Sequence, residues 1–274
     1  MNQVSTKDYF AKDGVKKKFE ELLGKKSTGF ITSVMQVVNG NNYLQKASPE
    51  SIFNAAAMAA TLDLPINNNL GLAWIVPYGQ SAQFQMGWKG FVQLAQRTGQ
   101  YKSINVTEVY ENQFKTYNRL TEELDADFTQ VGTGAVVGYV AYFKLLNGFE
   151  KTSFWTIEEV KRHGVKFSKT FNQKGGVWES NFDAMAKKTV LKNTLSKWGL
   201  LSIEMQQAVI ADQAIINNPE TMDVDYVDTI DQKLVEVQTI DDEAIEKLLA
   251  DSYTIQDIAK QYTLNESQIL KYGA

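Results

Sequence analysis

The sequence has no cysteine and a single histidine among its 274 residues. The absence of cysteine excludes disulfides, thiolate metal sites and cysteine nucleophiles, and it fits a reducing compartment. No apolar run approaches the ~20 residues that cross a bilayer, and the charged N-terminus lacks the apolar segment of a secretory signal. We therefore expect a cytoplasmic protein.

Motifs for ATP-driven or hydrolytic chemistry are also missing. The sequence contains neither the phosphate-binding GxxxxGK[ST] nor the dinucleotide-binding GxGxxG. The one histidine, His163, adjoins Lys161 and Arg162 without metal-ligand spacing. The acids near these residues that are available to hold magnesium are Glu158, Glu159, Glu179 and Asp183. A magnesium-dependent nucleic-acid-processing enzyme is therefore the alternative function, ranked behind binding without a cofactor.

Positive charge is concentrated in one region of an acidic chain, whose net charge is -4. Residues 161–198 hold nine basic residues against two acids, a net charge of +7. Such a block is typical of a surface that binds a polyanion. Residues 221–274 hold twelve acids against four lysines, a net charge of -8. The acidic balance of the whole chain thus does not argue against nucleic acid.

The hydrophobic pattern predicts an α+β fold with a central antiparallel sheet flanked by helices. The predicted strands are 72–78, 82–86, 103–110, 134–146 and 150–156. The predicted helices are 7–23, 28–39, 49–62, 87–97, 157–163, 183–199 and 203–216. We expect three segments: a folded core over 1–216, an acidic flexible linker over 217–242, and a small three-helix C-terminal interaction domain over 243–274.

The segment DAMAKKTVLKNTLSKWG, residues 183–199, is a lysine-rich helix. Its predicted core stripe is Ala184, Leu191, Leu195 and Trp198. Lys187 has Asp183 one turn earlier as a candidate partner, whereas Lys188 and Lys192 have no acid in register. Lysines that extend from an ordinary surface helix are the simpler explanation when this helix is taken alone.

Aromatic residues are interleaved with the lysines. In the basic region they are Phe167, Phe171, Trp178, Phe182 and Trp198, and upstream they are Trp74, Tyr78, Phe84 and Trp88. Lysines neutralise phosphates and aromatic faces stack on any base, so the combination is typical of a groove for single-stranded nucleic acid. Packing in the core is the expected role of Trp74, Phe91, Trp155 and Trp198.

Three stretches carry a resemblance to a known family. They are GLAWIVPYGQSAQFQMGWKGFVQLAQRTG, FWTIEEVKRHGVKFS and WESNFDAMAKKTVLKNTLSKW. In this order they resemble the RecT family of phage single-strand DNA annealing recombinases, over roughly residues 30–215. The resemblance is strongest to RecT proteins of phages and prophages of Gram-positive bacteria such as Listeria.

The resemblance implies a core that binds single-stranded DNA and anneals it to a complementary strand, giving duplex, without ATP, a cofactor or enzymatic activity. It implies a homo-oligomer, either a ring or a helical filament. It also implies a phage exonuclease as partner in the bacterial host cell, with the host single-strand DNA-binding protein as a candidate for the C-terminal domain. A structural filament protein whose basic face binds another protein is a third hypothesis.

Candidate DNA-binding residues follow from the basic region and from its match to the family. The candidate phosphate contacts are Lys187, Lys188, Lys192, Lys166, Lys169, Lys89, Arg97, Lys102 and Lys144. Phe171 and Trp178 lie in a glycine-containing segment and are the candidate stacking residues.

The C-terminal segment TIQDIAKQYTLNESQILKYG loosely resembles a helix-turn-helix, but the net charge of -8 argues against duplex binding. A protein-interaction module is favoured, with Lys247, Lys260 and Lys271 available for an acidic peptide. A domain that shields or regulates the DNA groove is nearly as plausible an alternative.

Overall fold

The structure is a computed structural model that describes residues 4–174, 176–226, 242–250 and 271–272. The chain divides into two compact units, Met1–Thr229 and Ile230–Ala274. The helices are α1 Thr6–Ala11, α2 Asp13–Leu23, α3 Ser27–Asn39, α4 Pro49–Thr61, α5 Trp88–Arg97, α6 Ile157–Phe167, α7 Val177–Ser180, α8 Phe182–Trp198, α9 Ile203–Ala211 and α10 Asp242–Ala250. The strands are β1 Ala73–Tyr78, β2 Ser81–Met86, β3 Tyr101–Tyr110, β4 Phe114–Asn118, β5 Glu123–Ala126, β6 Val136–Leu145, β7 Glu150–Thr156, β8 Ile215–Asn218 and β9 Asp223–Asp225.

The central sheet of the first unit has the antiparallel order β3-β6-β7. The β6–β7 turn contains Gly148 at φ +94°, in the left-handed region that glycine tolerates best. β1–β2, β4–β5 and β8–β9 are antiparallel pairs. The predicted α+β class is confirmed, although the sequence did not indicate β4 and β5.

The N-terminal helices α1 to α4 pack against one another, and α4 also packs against β2 and β8. α4 begins where predicted, because the Ser48 side chain accepts the Ser51 N–H and Pro49 occupies the first helical position. The apolar stripe of this helix is buried, and its members are Ile52, Ala55, Ala56, Ala59 and Leu62. The single predicted helix over 7–23 is instead two helices, since Lys12 has an extended backbone at ψ 137°.

The predicted helix after Ser202 ends earlier than expected. Asp212 caps α9, Gln213 follows at φ +69°, and the chain then enters β8. The N–H of Gln213 donates to the carbonyl of Phe84 at 3.0 Å, which ties this turn to β2. Residues 217–225, which the prediction gives to the flexible linker, instead belong to the antiparallel β8–β9 hairpin.

α8 packs against the central sheet on one side and against α5 and α6 on another. Its buried residues are Met185, Ala186, Lys188, Val190, Leu191, Thr194 and Leu195. The predicted core stripe is thus correct for Leu191 and Leu195 and wrong for Ala184 and Trp198, which are exposed. A helix with neighbours on two sides buries more than one stripe, and a single-stripe reading misses this.

The second unit is described over α10 and over residues 271–272. Lys271 Nζ lies 3.0 Å from Asp242 Oδ2 and 3.3 Å from Glu246 Oε1. Of the other two predicted helices, TIQDIAKQY lies outside the described residues, and only Lys271 and Tyr272 of ESQILKY lie within them, where they are helical. In the part of the chain that is described, no helix has the length and apolar character to cross a membrane.

Candidate nucleic-acid interface

Two lysines of α8 share one buried carboxylate. Asp212, which caps α9, lies with Oδ1 2.8 Å from Lys188 Nζ and with Oδ2 2.8 Å from Lys192 Nζ. Its Oδ1 also accepts the backbone N–H of Met86 at 2.9 Å. Burial alone raises the pKa of Asp212, but the two ammonium groups outweigh it and hold that pKa below its ordinary value. The inference that these lysines lack an acid partner is therefore wrong.

Lys188 and Lys192 differ in how much of each residue is exposed to solvent. Lys188 is 4% exposed, whereas the Lys192 side chain keeps 25% of its surface accessible. Two ammonium groups against one carboxylate leave an excess positive charge beside the surface. Lys192 is placed to reach an approaching phosphate, while the ammonium of Lys188 faces the buried Asp212. Their contact with DNA stays a prediction.

Lys187 is paired with the central sheet rather than with its own helix. Its Nζ lies 2.5 Å from Glu108 Oε1 on β3. The expected partner, Asp183, instead accepts a hydrogen bond from the Tyr139 hydroxyl. Burial raises the pKa of Glu108, but the hydrogen bond from Lys187 contributes to holding it below its ordinary value. The Lys187 ammonium also lies 5.8 Å from the ring centroid of Trp88.

A cavity of about 350 Å³ opens where the β1–β2 hairpin and the start of α5 meet α8. We call it the Trp88 cleft, and its lining includes Asn68, Asn69, Trp74, Trp88, Lys89 and Lys188. The Trp88 indole is half-buried. The ammonium groups of Lys89 and Lys187 each lie 5.8 Å from its ring centroid. The cleft therefore combines indole surface, amides and positive charge.

Glycine allows the walls of the Trp88 cleft to approach closely. The N–H of Gly87 donates to the carbonyl of Leu72 at 2.9 Å. A Cβ at Gly87 would lie 2.0 Å from the carbonyl oxygen of Gly71, so only glycine fits there. This contact fixes the start of α5 against the loop before β1, and thereby places Trp88 and Lys89 at the cleft.

The remaining predicted cations lie at separate places. Arg97 donates at 2.7 Å to the carbonyls of both Leu62 and Asp63, and so stabilises the end of α4. Lys144 Nζ lies 3.0 Å from Glu150 on the neighbouring strand. Lys102 is exposed on β3, which is an edge strand.

Lys166 and Lys169 are both exposed, Lys166 in the last turn of α6 and Lys169 just beyond it. Lys166 lines a second, smaller cleft on that helix.

The two predicted stacking residues pack against each other instead of facing solvent. Trp178 lies in α7, is 5% exposed, and its ring centroid is 5.0 Å from that of Phe171. Phe171 is half-buried and closes over α6 at Gly164, where a Cβ would lie 2.1 Å from its ring. Trp178 is therefore buried in a short helix rather than placed in an open loop, and its stacking on a base stays a prediction.

Glu159 and Asp183, which were considered for magnesium, are held by structural partners. Glu159 closes a capping box with Thr156, and its Oε1 lies 2.6 Å from Arg119 Nη1. Asp183 is bonded to Tyr139. Within the described ranges, no three acidic or histidine side chains form a group suited to a metal ion.

The predicted partner-binding lysines of the C-terminal unit are only partly described. Lys247 is exposed on α10, and Lys271 pairs with Asp242 and Glu246. Lys260 lies outside the described residues.

Comparison with known proteins adds an independent observation. A sequence profile described as the RecT family matches residues 28–225. The chain belongs to the RecT family. It is 52% identical over 208 residues to YqaK, an uncharacterised protein of Bacillus subtilis, covering 76% of this chain and 72% of YqaK. It is 28% identical over 184 residues to Protein RecT of Escherichia coli, covering 63% of this chain and 65% of that protein.

Family membership supports a role in recombination by strand annealing. The matched segment contains the Trp88 cleft, α8 and Asp212, and it ends at β9. Sequence reasoning on this RecT-family chain missed the contribution of Asn68 and Asn69 to the cleft. The run of three asparagines before Gly71 was the available signal, because consecutive amides beside a predicted strand are suited to polar contacts.

Proposed function

We propose that this RecT-family protein binds single-stranded DNA and anneals it to a complementary strand without ATP, acting as an oligomer along the strand. The observation that carries the proposal is the Trp88 cleft, where the ammonium groups of Lys89 and Lys187 each lie 5.8 Å from the ring centroid of a half-buried indole. Base stacking on the indole and phosphate neutralisation by Lys89 are the two contacts that single-strand binding requires.

The chemistry of annealing lies in the DNA rather than in the protein. Watson–Crick pairing supplies the specificity, and duplex stacking contributes about 1.4 kcal/mol per step once the strands are aligned. The protein needs only to reduce phosphate repulsion and hold the bases apart from one another. Exposed Lys89 and the partly exposed Lys192 supply positive charge for the first task, and Trp88 supplies an aromatic face for the second.

Oligomerisation multiplies weak contacts along a strand, so each subunit needs only a modest affinity of its own. The implied partners, a phage exonuclease and a host single-strand DNA-binding protein, remain expectations from the family. Neither the magnesium-dependent alternative nor the filament alternative is favoured by a specific observation on the described residues.

The test is an annealing assay in which complementary oligonucleotides are added in sequence to the full-length protein, with and without ATP. We expect annealing above the rate of the free strands, equal in both conditions. The lengths of labelled strands incubated with magnesium should stay unchanged. Cleavage of the label would favour the enzymatic alternative, and assembly that ignores oligonucleotide would favour the filament alternative.

Lys89→Ala should weaken single-strand binding for all sequences alike and reduce its salt dependence. Loss of one phosphate contact lowers the slope of log affinity against log salt concentration by about 0.7. The measurement is fluorescence anisotropy of a labelled oligonucleotide over a salt series. Lys25→Ala is the matched control, since Lys25 is exposed and does not line the Trp88 cleft. An unchanged slope for Lys89→Ala would remove this residue from the interface.

A further inference from the structure

A second cleft lies on α6 and shares no lining residue with the Trp88 cleft. Its volume is about 260 Å³, and it is lined by Trp155, Glu159, Arg162, His163, Lys166 and Phe167. We call it the α6 cleft. Trp155 comes from β7, and the other five residues come from one face of α6.

The charge balance of the α6 cleft is positive. Arg162 and Lys166 are four residues apart on α6, and both are exposed. The one carboxylate in the lining, Glu159, accepts the N–H of Thr156 at 2.9 Å and is paired with Arg119 at 2.6 Å. Its charge is therefore already neutralised by a third cation, and Arg162 and Lys166 are left to attract an anion from solution.

The wall of the α6 cleft is aromatic. The half-buried ring of His163 lies 5.4 Å from the ring of Trp155 and 4.5 Å from that of Phe167, centroid to centroid. Phe167 is 38% exposed, and the Lys166 ammonium lies 5.2 Å from its centroid. A cation pair beside an accessible aromatic ring matches the two parts of a nucleotide, its phosphate and its base.

We propose that the α6 cleft binds one nucleotide of the DNA strand, with Arg162 and Lys166 holding its phosphate and Phe167 lying against its base. This inference rests on the proposed function, because the ligand is the same single strand. It adds a second contact site to the subunit, on α6 rather than at the start of α5.

Binding of a phosphate at the α6 cleft can be detected through the pKa of His163. The charged groups near this ring are Arg162, Lys166 and Glu159 on its own helix, Lys192 on α8, and Arg119 through its pairing with Glu159. Burial, with the ammonium groups of Lys192 and Lys166, holds the pKa of His163 below its ordinary value. A bound phosphate introduces a negative charge and raises that pKa, so the ring takes up a proton as the strand binds.

The chain has only one histidine, so its imidazole NMR resonances come from a single residue. We would titrate the full-length protein, carrying no added histidine, with and without an oligo(dT) strand. The strand should raise the pKa of His163 by about 1. Affinity for the oligonucleotide should then be about tenfold tighter at low pH than at high pH. His163→Gln should make the affinity independent of pH over that range.

The double substitution Arg162→Gln with Lys166→Gln should abolish the change in the His163 titration while the strand still binds through the Trp88 cleft. Melting temperatures of all variants check that they fold. If the oligonucleotide binds but the pKa of His163 does not change, this inference is overturned and the proposed function stays intact. Failure of any strand to bind overturns both. A shift produced by inorganic phosphate but not by the strand also overturns it, since the cleft would then hold a free anion.

Discussion

Asp212→Asn is expected to destabilise the first unit more than any other single substitution considered for this protein. The change keeps an oxygen to accept the Met86 N–H but leaves Lys188 and Lys192 with no carboxylate between them. Removing one partner of a buried ion pair costs about 3–5 kcal/mol. For a chain of this size the melting temperature should fall by about 10 °C, measured by calorimetry or circular dichroism.

Lys188→Met is the matched control for Asp212→Asn. It removes the more buried ammonium but leaves the Lys192–Asp212 pair, in which one positive charge faces one negative charge. The loss of stability should therefore be clearly smaller. The double substitution should be more stable than Asp212→Asn alone, because only Lys192 then lacks the Asp212 carboxylate, instead of both lysines. Equal stability of Asp212→Asn and the unsubstituted protein would mean that the carboxylate has no net structural role.

Lowering the pH should cause part of the loss of stability that is expected for Asp212→Asn. The folded-state pKa of Asp212 lies below that of an exposed aspartate. The carboxylate therefore contributes stability above the unfolded-state pKa of about 3.9, and this contribution is lost as pH falls through the folded-state value.

The local rules of sequence predicted much of the fold. Caps depend only on neighbouring residues, so Ser48 and Pro49 fix the start of α4, and Thr156 with Glu159 fixes the start of α6. The hairpin at Asn147-Gly148 was equally local. The chain after Ala211 was predicted wrongly, because its change from helix to strand follows from hydrogen bonds with Phe84, far away in sequence.

The candidate site was harder to predict for the same reason. Lys188 and Lys192 have no acid within one helical turn, yet Asp212 approaches them from the end of a different helix. Trp178 follows a glycine pair, which predicts an open loop, but tertiary packing buries it. The position of Lys89 could be predicted without knowledge of tertiary contacts, since it lies at the exposed start of α5 beside Trp88. Sequence therefore located the basic region but not which of its cations are neutralised.

Trp88→Leu should cause the largest loss of strand affinity among the single substitutions of the Trp88 cleft. Stacking of one base on an aromatic side chain contributes about 1–3 kcal/mol, so binding of a short oligonucleotide should weaken by about 5- to 150-fold. Leucine keeps apolar bulk against Lys187 and Lys89 but has no aromatic face. The measurement is anisotropy with an oligonucleotide short enough to occupy one subunit, at fixed salt concentration.

Two further variants separate stacking from packing. Trp88→Phe keeps an aromatic face and should retain most of the affinity, with melting temperatures confirming that each variant folds. Trp198→Leu removes an exposed indole that also has two ammonium groups near its ring centroid, those of Lys151 at 4.3 Å and Lys197 at 4.9 Å, but this indole lies outside the cleft. It should leave affinity nearly unchanged. Trp198→Leu could instead weaken binding as much as Trp88→Leu does. In that case any tryptophan close to lysines contributes to the affinity for the strand, and the Trp88 cleft is not a specific binding site.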